Sequence, residues 1–259
     1  RPLGRRFTRL SSVRGSYILE NTQLQLAPDT PPVVSIDQFE IKPGERWALL
    51  GGNGTGKSSL LRLLSGIYDP SAGSLRLDNL ELSQIEPADK RRLVSYMPQD
   101  IVLFHGTLRD NLTLDGRNTD DLRLLETLDM AGLGQFVRSH PLGLDMFIPG
   151  NQSLSGGQRQ AVGLARLILQ DAPIVLMDEP TASLDQATEN AVIVRLKPWL
   201  QGRTVVIATH KMPLLDLCDH ALGLHSGKRL LNGPLQGVLE HLNLVPAANN
   251  QQQKVSKVS

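Results

Sequence analysis

The residues best suited to chemistry begin in Leu49-Leu50-Gly51-Gly52-Asn53-Gly54-Thr55-Gly56-Lys57-Ser58-Ser59, which fits the spacing G-x-x-x-x-G-K-[ST]. In that spacing a glycine loop leaves a strand, wraps a phosphate chain in backbone N–H groups and delivers it to a helix N-terminus. The glycines let the backbone turn tightly and approach an anion, Lys57 brings a full positive charge, and the Ser58 hydroxyl suits Mg²⁺. An ordinary glycine-rich turn is the alternative. The flanks argue against it: Arg46-Trp47-Ala48-Leu49-Leu50 reads as a buried strand and Ser59-Leu60-Leu61-Arg62-Leu63-Leu64 as an apolar-faced helix.

Ligands of parallel sheets collect at the carboxyl ends of strands, so the residue that follows each apolar run matters. After Leu50 comes the glycine loop; after Met97, Gln99; after Ile174-Val175-Leu176-Met177, the pair Asp178-Glu179; and after Thr204-Val205-Val206-Ile207-Ala208, Thr209 and His210. This set suits hydrolysis of a phosphoanhydride, which needs in-line positioning and charge stabilisation more than covalent chemistry. Asp178 with Ser58 can hold Mg²⁺, and Glu179 can orient and polarise the attacking water. A surface acidic pair is the alternative for Asp178-Glu179, and the wholly apolar run before it speaks against that. His210, at a strand end, is read as a γ-phosphate contact. His105, His140, His220, His225 and His241 have no such placement and are read as structural.

A second anion site is written in Leu154-Ser155-Gly156-Gly157-Gln158-Arg159-Gln160 and the helical run to Ile168. Ser155 is a good N-cap, and the two glycines expose first-turn N–H groups. For both phosphate-binding termini to act on one nucleotide within one chain, the second would have to reach across from another subdomain. Closure of the site by a second copy is therefore expected.

The elements that must position these groups follow from the pattern. Residues 17–41 alternate as antiparallel strands around the turn Ala27-Pro28-Asp29-Thr30-Pro31-Pro32, and Ser74-Leu75-Arg76-Leu77 is another short strand. The segment Lys90-Arg91-Arg92-Leu93-Val94-Ser95-Tyr96-Met97 reads as a strand leading to Pro98-Gln99. Residues from about 100 to 161 have helical spacing, as in Asp121 to Gly132, broken by glycine and proline turns. From Asp171 continuous apolar strands alternate again with helices, including Thr188 to Leu200, which implies a mainly parallel sheet covered on both faces. The predicted fold is α/β: a P-loop NTPase core, an N-terminal antiparallel β subdomain and an inserted α-helical subdomain. The predicted divisions are a basic arm over 1–15, antiparallel β and the first part of the core over 16–98, a helical subdomain over 99–161, the second part of the core over 162–246, and a polar disordered tail over 247–259.

Composition narrows the classes. With 259 residues and 40% apolar content the chain can bury a proper core. Its 27 basic and 26 acidic residues are nearly balanced, so charge gives no case for nucleic acid. The local exception, Arg1, Arg5, Arg6, Arg9 and Arg14, is read as a solvated arm in preference to a lipid-facing one. The single cysteine, Cys218, excludes an intramolecular disulfide and fits a reducing compartment as an inert, partly buried thiol. No apolar run reaches the roughly 18–20 residues of a bilayer span, so a spanning part would lie elsewhere. The arginine start fits a fragment of a longer protein.

On these motifs the chain resembles the nucleotide-binding domain of ATP-binding cassette ATPases. Leu154 to Gln158 reads as the family's signature, and the order also matches: glycine loop, glutamine loop at Gln99, signature, Walker B run at Ile174 to Glu179, the Ser183-Leu184-Asp185 turn and the switch histidine His210. The resemblance runs from about Ser16 to Leu242. It implies a head-to-tail dimer that sandwiches ATP between Lys57 of one copy and Ser155 to Gln158 of the other. It also implies that Glu179 is the catalytic base, that Gln99 senses Mg²⁺ and couples to a transmembrane domain, and that Asp185 communicates across the dimer. The stretch Pro98 to Leu112 resembles exporter cassettes, especially those of type I secretion. That implies a fused membrane domain, protein or peptide cargo in preference to lipid or drug, and a periplasmic adaptor and outer-membrane channel as partners, with the cassette on the cytoplasmic face of a bacterial inner membrane. Soluble cassette ATPases and ATP-dependent dimerisation modules are the alternatives. The sequence departs from the family's exporter pattern in two places. Leu26 stands where an adenine-stacking aromatic is usual, with Tyr17 a distant substitute, and Ile148 to Ser153 lacks the usual Gly-Glu pair.

Overall fold

The computed structural model describes residues 7–114, 119–242 and 244. The tail read at 247–259 lies outside the described residues, as does the start of the basic arm. In chain order, β1 (Tyr17–Leu24) and β2 (Val34–Ile41) form an antiparallel pair, and β3 (Arg46–Leu50) leads through the glycine loop into α1 (Lys57–Leu64). Then come β4 (Ala72–Leu77), β5 (Leu80–Glu81), α2 (Pro87–Leu93) and β6 (Val94–Met97). The following region holds β7 (Gly106–Thr107), α3 (Leu108–Leu112), α4 (Asp121–Met130), α5 (Gly134–Ser139) and β8 (Phe147–Ile148), with β7 and β8 paired in a small ribbon of their own. The chain ends with α6 (Gly156–Gln170), β9 (Ile174–Asp178), α7 (Gln186–Trp199), β10 (Thr204–Ala208), α8 (Met212–Leu215), β11 (His220–His225), β12 (Lys228–Pro234) and α9 (Leu235–His241).

Ten strands join in a single curled sheet of order β5-β4-β1-β2-β12-β11-β3-β10-β9-β6. The half containing β11, β3, β10, β9 and β6 is parallel, and the β1, β2, β4 and β5 half is antiparallel. This is the mixed α/β architecture read from the sequence, with the two β regions continuous through β12, whose Lys228 pairs with Ser35.

Continuous apolar strands arise because both faces of the parallel half are covered. Along β3, Trp47 and Leu49 enter a core shared with α1 and the antiparallel strands, whereas Ala48 and Leu50 face a second core built with α6, α7 and the helical region. On β9, Ile174 and Leu176 point one way and Val175 and Met177 the other, and β10 divides in the same manner. Helix α1 places Leu60, Leu61, Leu63 and Leu64 wholly inside the fold of the sheet, so the helix that receives the glycine loop is held on all sides.

One local reading changes. Lys90 to Leu93 is helical, the strand beginning only at Val94. Pro87 preorganises the first turn of α2, Asp89 lies at its positive end, and the basic residues fall in its last turn, all favourable to a helix. The arm is bound where the structure describes it. Thr8 donates to Gln84 O (2.7 Å) and accepts from Glu86 N (3.0 Å), and the Leu10 N–H donates to Asp89 Oδ2 (2.8 Å). Arg92 reaches Ser11 O (2.8 Å), and Thr204 Oγ1 donates to Gly15 O (2.9 Å) at the foot of β10. These bonds hold the backbone of the arm, while the Arg9 and Arg14 side chains stay exposed. Helix α6 runs on to Gln170, across the division read at 161. Among the described residues no helix is long and apolar enough to cross a membrane. Cys218 is buried, and burial pushes its thiol up to about 12, so it is inert.

Candidate nucleotide site

Register brings the polar strand ends to one edge. Ala208 pairs with Leu49 on one side and Asp178 on the other, and Met97 pairs with Met177. Gly51, Thr209-His210, Asp178-Glu179 and Gln99 therefore leave the sheet side by side.

The loop from Gly51 to Gly56 needs its glycines. At Gly56 φ is +95°, and a Cβ there would lie 2.6 Å from the Val33 carbonyl oxygen; at Gly51 it would lie 2.6 Å from that of Leu224. Only residues without a Cβ allow the strands on either side to approach so closely. Thr55 Oγ1 donates to Gly52 O (2.9 Å), and the Gly227 N–H donates to Thr55 O (3.0 Å), closing the loop against the β11–β12 turn. Asn53 is exposed at the tip. Helix α1 begins at Gly56 with no side-chain cap and no acidic residue in its first turn, so the N–H groups at Lys57, Ser58 and Ser59 form a positive terminus suited to an anion. The Lys57 ammonium, on a largely buried side chain, donates to Gly51 O and Gly52 O, each at 2.8 Å. The cation thus stands over the loop that would wrap a phosphate.

Asp178 is 2% exposed at the end of β9, which packs against α1. Burial pushes its carboxyl above the usual range and the Glu179 charge adds to this, while Ser58, Arg62 and Lys57 pull it down. Glu179 carries its backbone in the left-handed region at φ +47°. That turn sends the side chain across to the end of β10, where Oε1 lies 2.8 Å from His210 Nδ1 and Oε2 accepts from Thr209 Oγ1 at 3.2 Å. The backbone of Glu179 is fixed too: its N–H donates to Ala208 O (2.8 Å), and its carbonyl accepts from Gln160 Nε2 (2.7 Å). The His210 ring is largely exposed, with Nε2 as its other polar atom. Gln99 is exposed beyond β6.

The stretch Ser155 to Gln158 forms a closed local motif. The Gln158 N–H donates to Ser155 Oγ (3.2 Å), and the Ser155 N–H donates to Gln158 Oε1 (2.9 Å), a capping box that starts α6. Gly156 and Gly157 let this terminus press on the 181–185 turn, since a Cβ on Gly157 would lie 3.0 Å from Ser183 O. Asp185 caps α7 through Thr188 (N–H at 3.0 Å, hydroxyl at 2.6 Å), and these bonds hold its carboxyl below the usual range. Ser155, Ser183 and Asp185 are all exposed.

Gln160, one turn into α6, plays a part that its sequence position did not announce. It is 3% exposed, and its amide bridges Glu179 O and the Ser183 N–H (2.6 Å). The available signal was a polar residue on the apolar face of a helix. Tyr17 is no substitute for an adenine-stacking aromatic: it is fully buried, and its hydroxyl donates to Leu64 O (2.8 Å), with burial raising its pKa. Leu26 is 55% exposed on the β1–β2 loop. In the segment without the Gly-Glu pair, Asn151 Oδ1 accepts from the Leu103 N–H (2.6 Å), tying it to the chain just past Gln99.

A phosphate loop entering a buried helix, a carboxylate pair two strands along the sheet and a capped glycine-bearing terminus define an ATPase domain of the ABC transporter class. The sequence profile described as "ABC transporter" matches residues 34–182, more than half of the chain, and the chain belongs to that family. Among its relatives, the ATP-dependent lipid A-core flippase of Burkholderia orbicola (strain AU 1054) is 34% identical over 233 residues, covering 90% of this chain and 39% of that protein. The protein of the same description from Neisseria gonorrhoeae (strain ATCC 700825 / FA 1090) is 34% identical over 222 residues, 85% of this chain and 36% of its own length. Among solved structures, a bacterial Atm1-family ABC exporter with ATP bound superposes with a TM-score of 0.84 at 27% identity, covering 91% of this chain and 41% of that one. The chain thus spans about two fifths of the length of these proteins.

Proposed function

We propose that this domain hydrolyses ATP as half of a head-to-tail dimer and powers export of a lipidic cargo by a membrane part of the same transporter. The observation that carries the reading is the pairing of Glu179 with both His210 and Thr209, beside Ser58 and Asp178 at the mouth of the glycine loop. Backbone N–H groups from Gly51 to Ser59, with Lys57, hold the β- and γ-phosphates. The Ser58 hydroxyl and the Asp178 carboxylate make a hard oxygen pair that fits Mg²⁺, which usually takes only one or two protein oxygens beside phosphates and water; Gln99 completes the group. Bound there, Mg²⁺ supplies charge neutralisation at the phosphate oxygens.

Glu179 orients the attacking water and takes its proton as the new bond to the γ-phosphorus forms and the bond to the ADP oxygen breaks. His210, oriented through Nδ1, presents Nε2 to the γ-phosphate. Ser155, Gly156, Gly157 and Gln158 of the second copy cover that phosphate from the opposite side, and Asp185 reports across the interface. The exposure of Ser155, Ser183 and Asp185 supports this arrangement.

A cleft of about 760 Å³ between the end of α1, α2 and α6, lined by Ile67, Arg91, Tyr96, Leu114 and Arg166, is the proposed seat of the membrane part. The relatives bear the names of lipid flippases. A lipidic cargo therefore replaces the type I secretion-like protein or peptide cargo expected from Pro98 to Leu112, and with it the adaptor and outer-membrane channel. The domain would act on the cytoplasmic face of the membrane.

The test uses the purified chain with ATP and Mg²⁺. Glu179→Gln is expected to lower hydrolysis by at least about a hundredfold and to trap an ATP-dependent dimer visible by size-exclusion chromatography. An unchanged rate removes Glu179 from the base role.

A further inference from the structure

One buried charge pair lies outside the machinery described above and leads directly into it. Glu189, on α7 one turn past Asp185, is 5% exposed. Its Oε1 accepts from the Thr181 hydroxyl and lies 3.1 Å from Lys211 Nζ, and the same ammonium donates to Thr181 O at 2.7 Å. A carboxylate so far removed from water must keep a cation beside it, so Lys211 is committed to this place. Lys211 immediately follows His210. Its N–H donates to Thr209 Oγ1 (3.0 Å), and that hydroxyl donates to Glu179 Oε2 (3.2 Å). An unbroken path therefore runs from the Asp185 cap through the first turn of α7, Glu189, Lys211 and Thr209 to Glu179.

The path joins segments that no local rule would hold together. The 179–185 turn follows β9, and the 209–211 turn follows β10. Apart from those of Lys211, the side-chain bonds between the two turns among the described residues are those of Glu179 itself, from the reacting carboxylate to Thr209 and to the exposed His210 ring. We infer that Lys211 and Glu189 are positioning residues: together they fix the turn that presents Thr209 and His210 to Glu179, and they bind that turn to the surface at Ser183 and Asp185. Movement of either turn is then felt by the other. This rests on the reading of Glu179 as the base, and the experiment separates the two.

ATP hydrolysis by the purified chain is measured for Lys211→Met, Lys211→Arg and Glu179→Gln, with melting temperatures alongside. A misplaced base costs turnover more than nucleotide binding, so Lys211→Met is expected to lower kcat by on the order of tenfold to a hundredfold, with KM for ATP held within about twofold. Lys211→Arg, which keeps the cation, is expected to restore most of the rate. If Lys211→Met does not fold, Lys211→Met with Glu189→Gln removes both charges at similar volume and takes its place. A wild-type rate in whichever of these folds, while Glu179→Gln is inactive, overturns the positioning role and leaves the ATPase reading standing. So does a loss that Lys211→Arg fails to recover. A wild-type rate in Glu179→Gln overturns the reading of the base itself.

Discussion

The strand-end edge and the Ser155–Gln158 terminus both offer groups that suit an anion, by opposite means. At the edge, Asp178, Glu179, Lys57 and Thr209 are each no more than 9% exposed, and their partners come from other strands or from across the loop. Their geometry depends on β3, β9 and β10 being in register and on both cores being full. At the terminus, Ser155 and Gln158 satisfy each other within one helical turn while remaining accessible. The first site is preorganised by the whole fold; the second is a self-contained motif, accessible at the start of α6. Substitution should therefore damage the fold at the edge and assembly at the terminus.

The largest effect that would test this contrast is complementation. Ser155→Arg places charge and bulk where the partner's phosphate would lie, and is expected to reduce hydrolysis by about a hundredfold or more. The lost cap should cost only about 1 kcal/mol of stability. Lys57→Ala is expected to be inactive as well. In an equal mixture of the two variants, half the dimers would be mixed, each with one intact site, so about a quarter of the activity should return. No recovery on mixing would mean that the two termini serve one chain.

Next in size is Gln160→Ala, which cuts the joint between the two regions. It leaves the buried Glu179 carbonyl and the Ser183 N–H without their amide partner, a loss of about 1–3 kcal/mol that urea denaturation would register. Little change in the midpoint would show that the terminus and the edge are not mechanically joined through this residue.

A smaller effect is expected at Leu26. Leu26→Tyr adds an aromatic face worth about 0.5–1.5 kcal/mol to a stacked partner. KM for ATP should fall severalfold with kcat unchanged, because base stacking is the same in ground and transition states.

The smallest concerns the arm. The Leu10 N–H and, secondarily, Arg92 hold the Asp89 carboxyl below the usual range. Because the folded value is depressed, this contact is fully present above the unfolded value of about 3.9 and is lost as pH falls through the lower folded value. Hydrogen exchange at Leu10 should accelerate in that window, and in Asp89→Asn it should be fast at neutral pH, with hydrolysis unaltered.

Much of the edge was legible because its parts are local. Continuous apolar runs marked β9 and β10, and each placed a polar residue at its end. The glycine loop and the Ser155 capping box are likewise written within single short stretches. What escaped was whatever depends on register between distant strands: Lys211 finds Glu189 only because Ala208 pairs with Asp178. Gln160 looked like one more residue of a motif until the helix was packed on the end of β9. Tyr17 showed no sign of being core, since an aromatic at a strand start is equally consistent with a ring facing nucleotide. Helix α2 was missed because its basic residues run directly into β6, and only Pro87 and Asp89 mark its start. The cargo leaves no residue in this chain to read, so the preference for protein or peptide rested on Pro98 to Leu112 alone.

The left-handed backbone at Glu179 also has a consequence for stability. A residue with a Cβ at φ +47° carries a cost of about 1–2 kcal/mol that glycine avoids and asparagine reduces. Local conformation alone would favour glycine, asparagine or aspartate here, so the Glu179 side chain occupies this turn at a cost that its bonds to Thr209 and His210 help to offset.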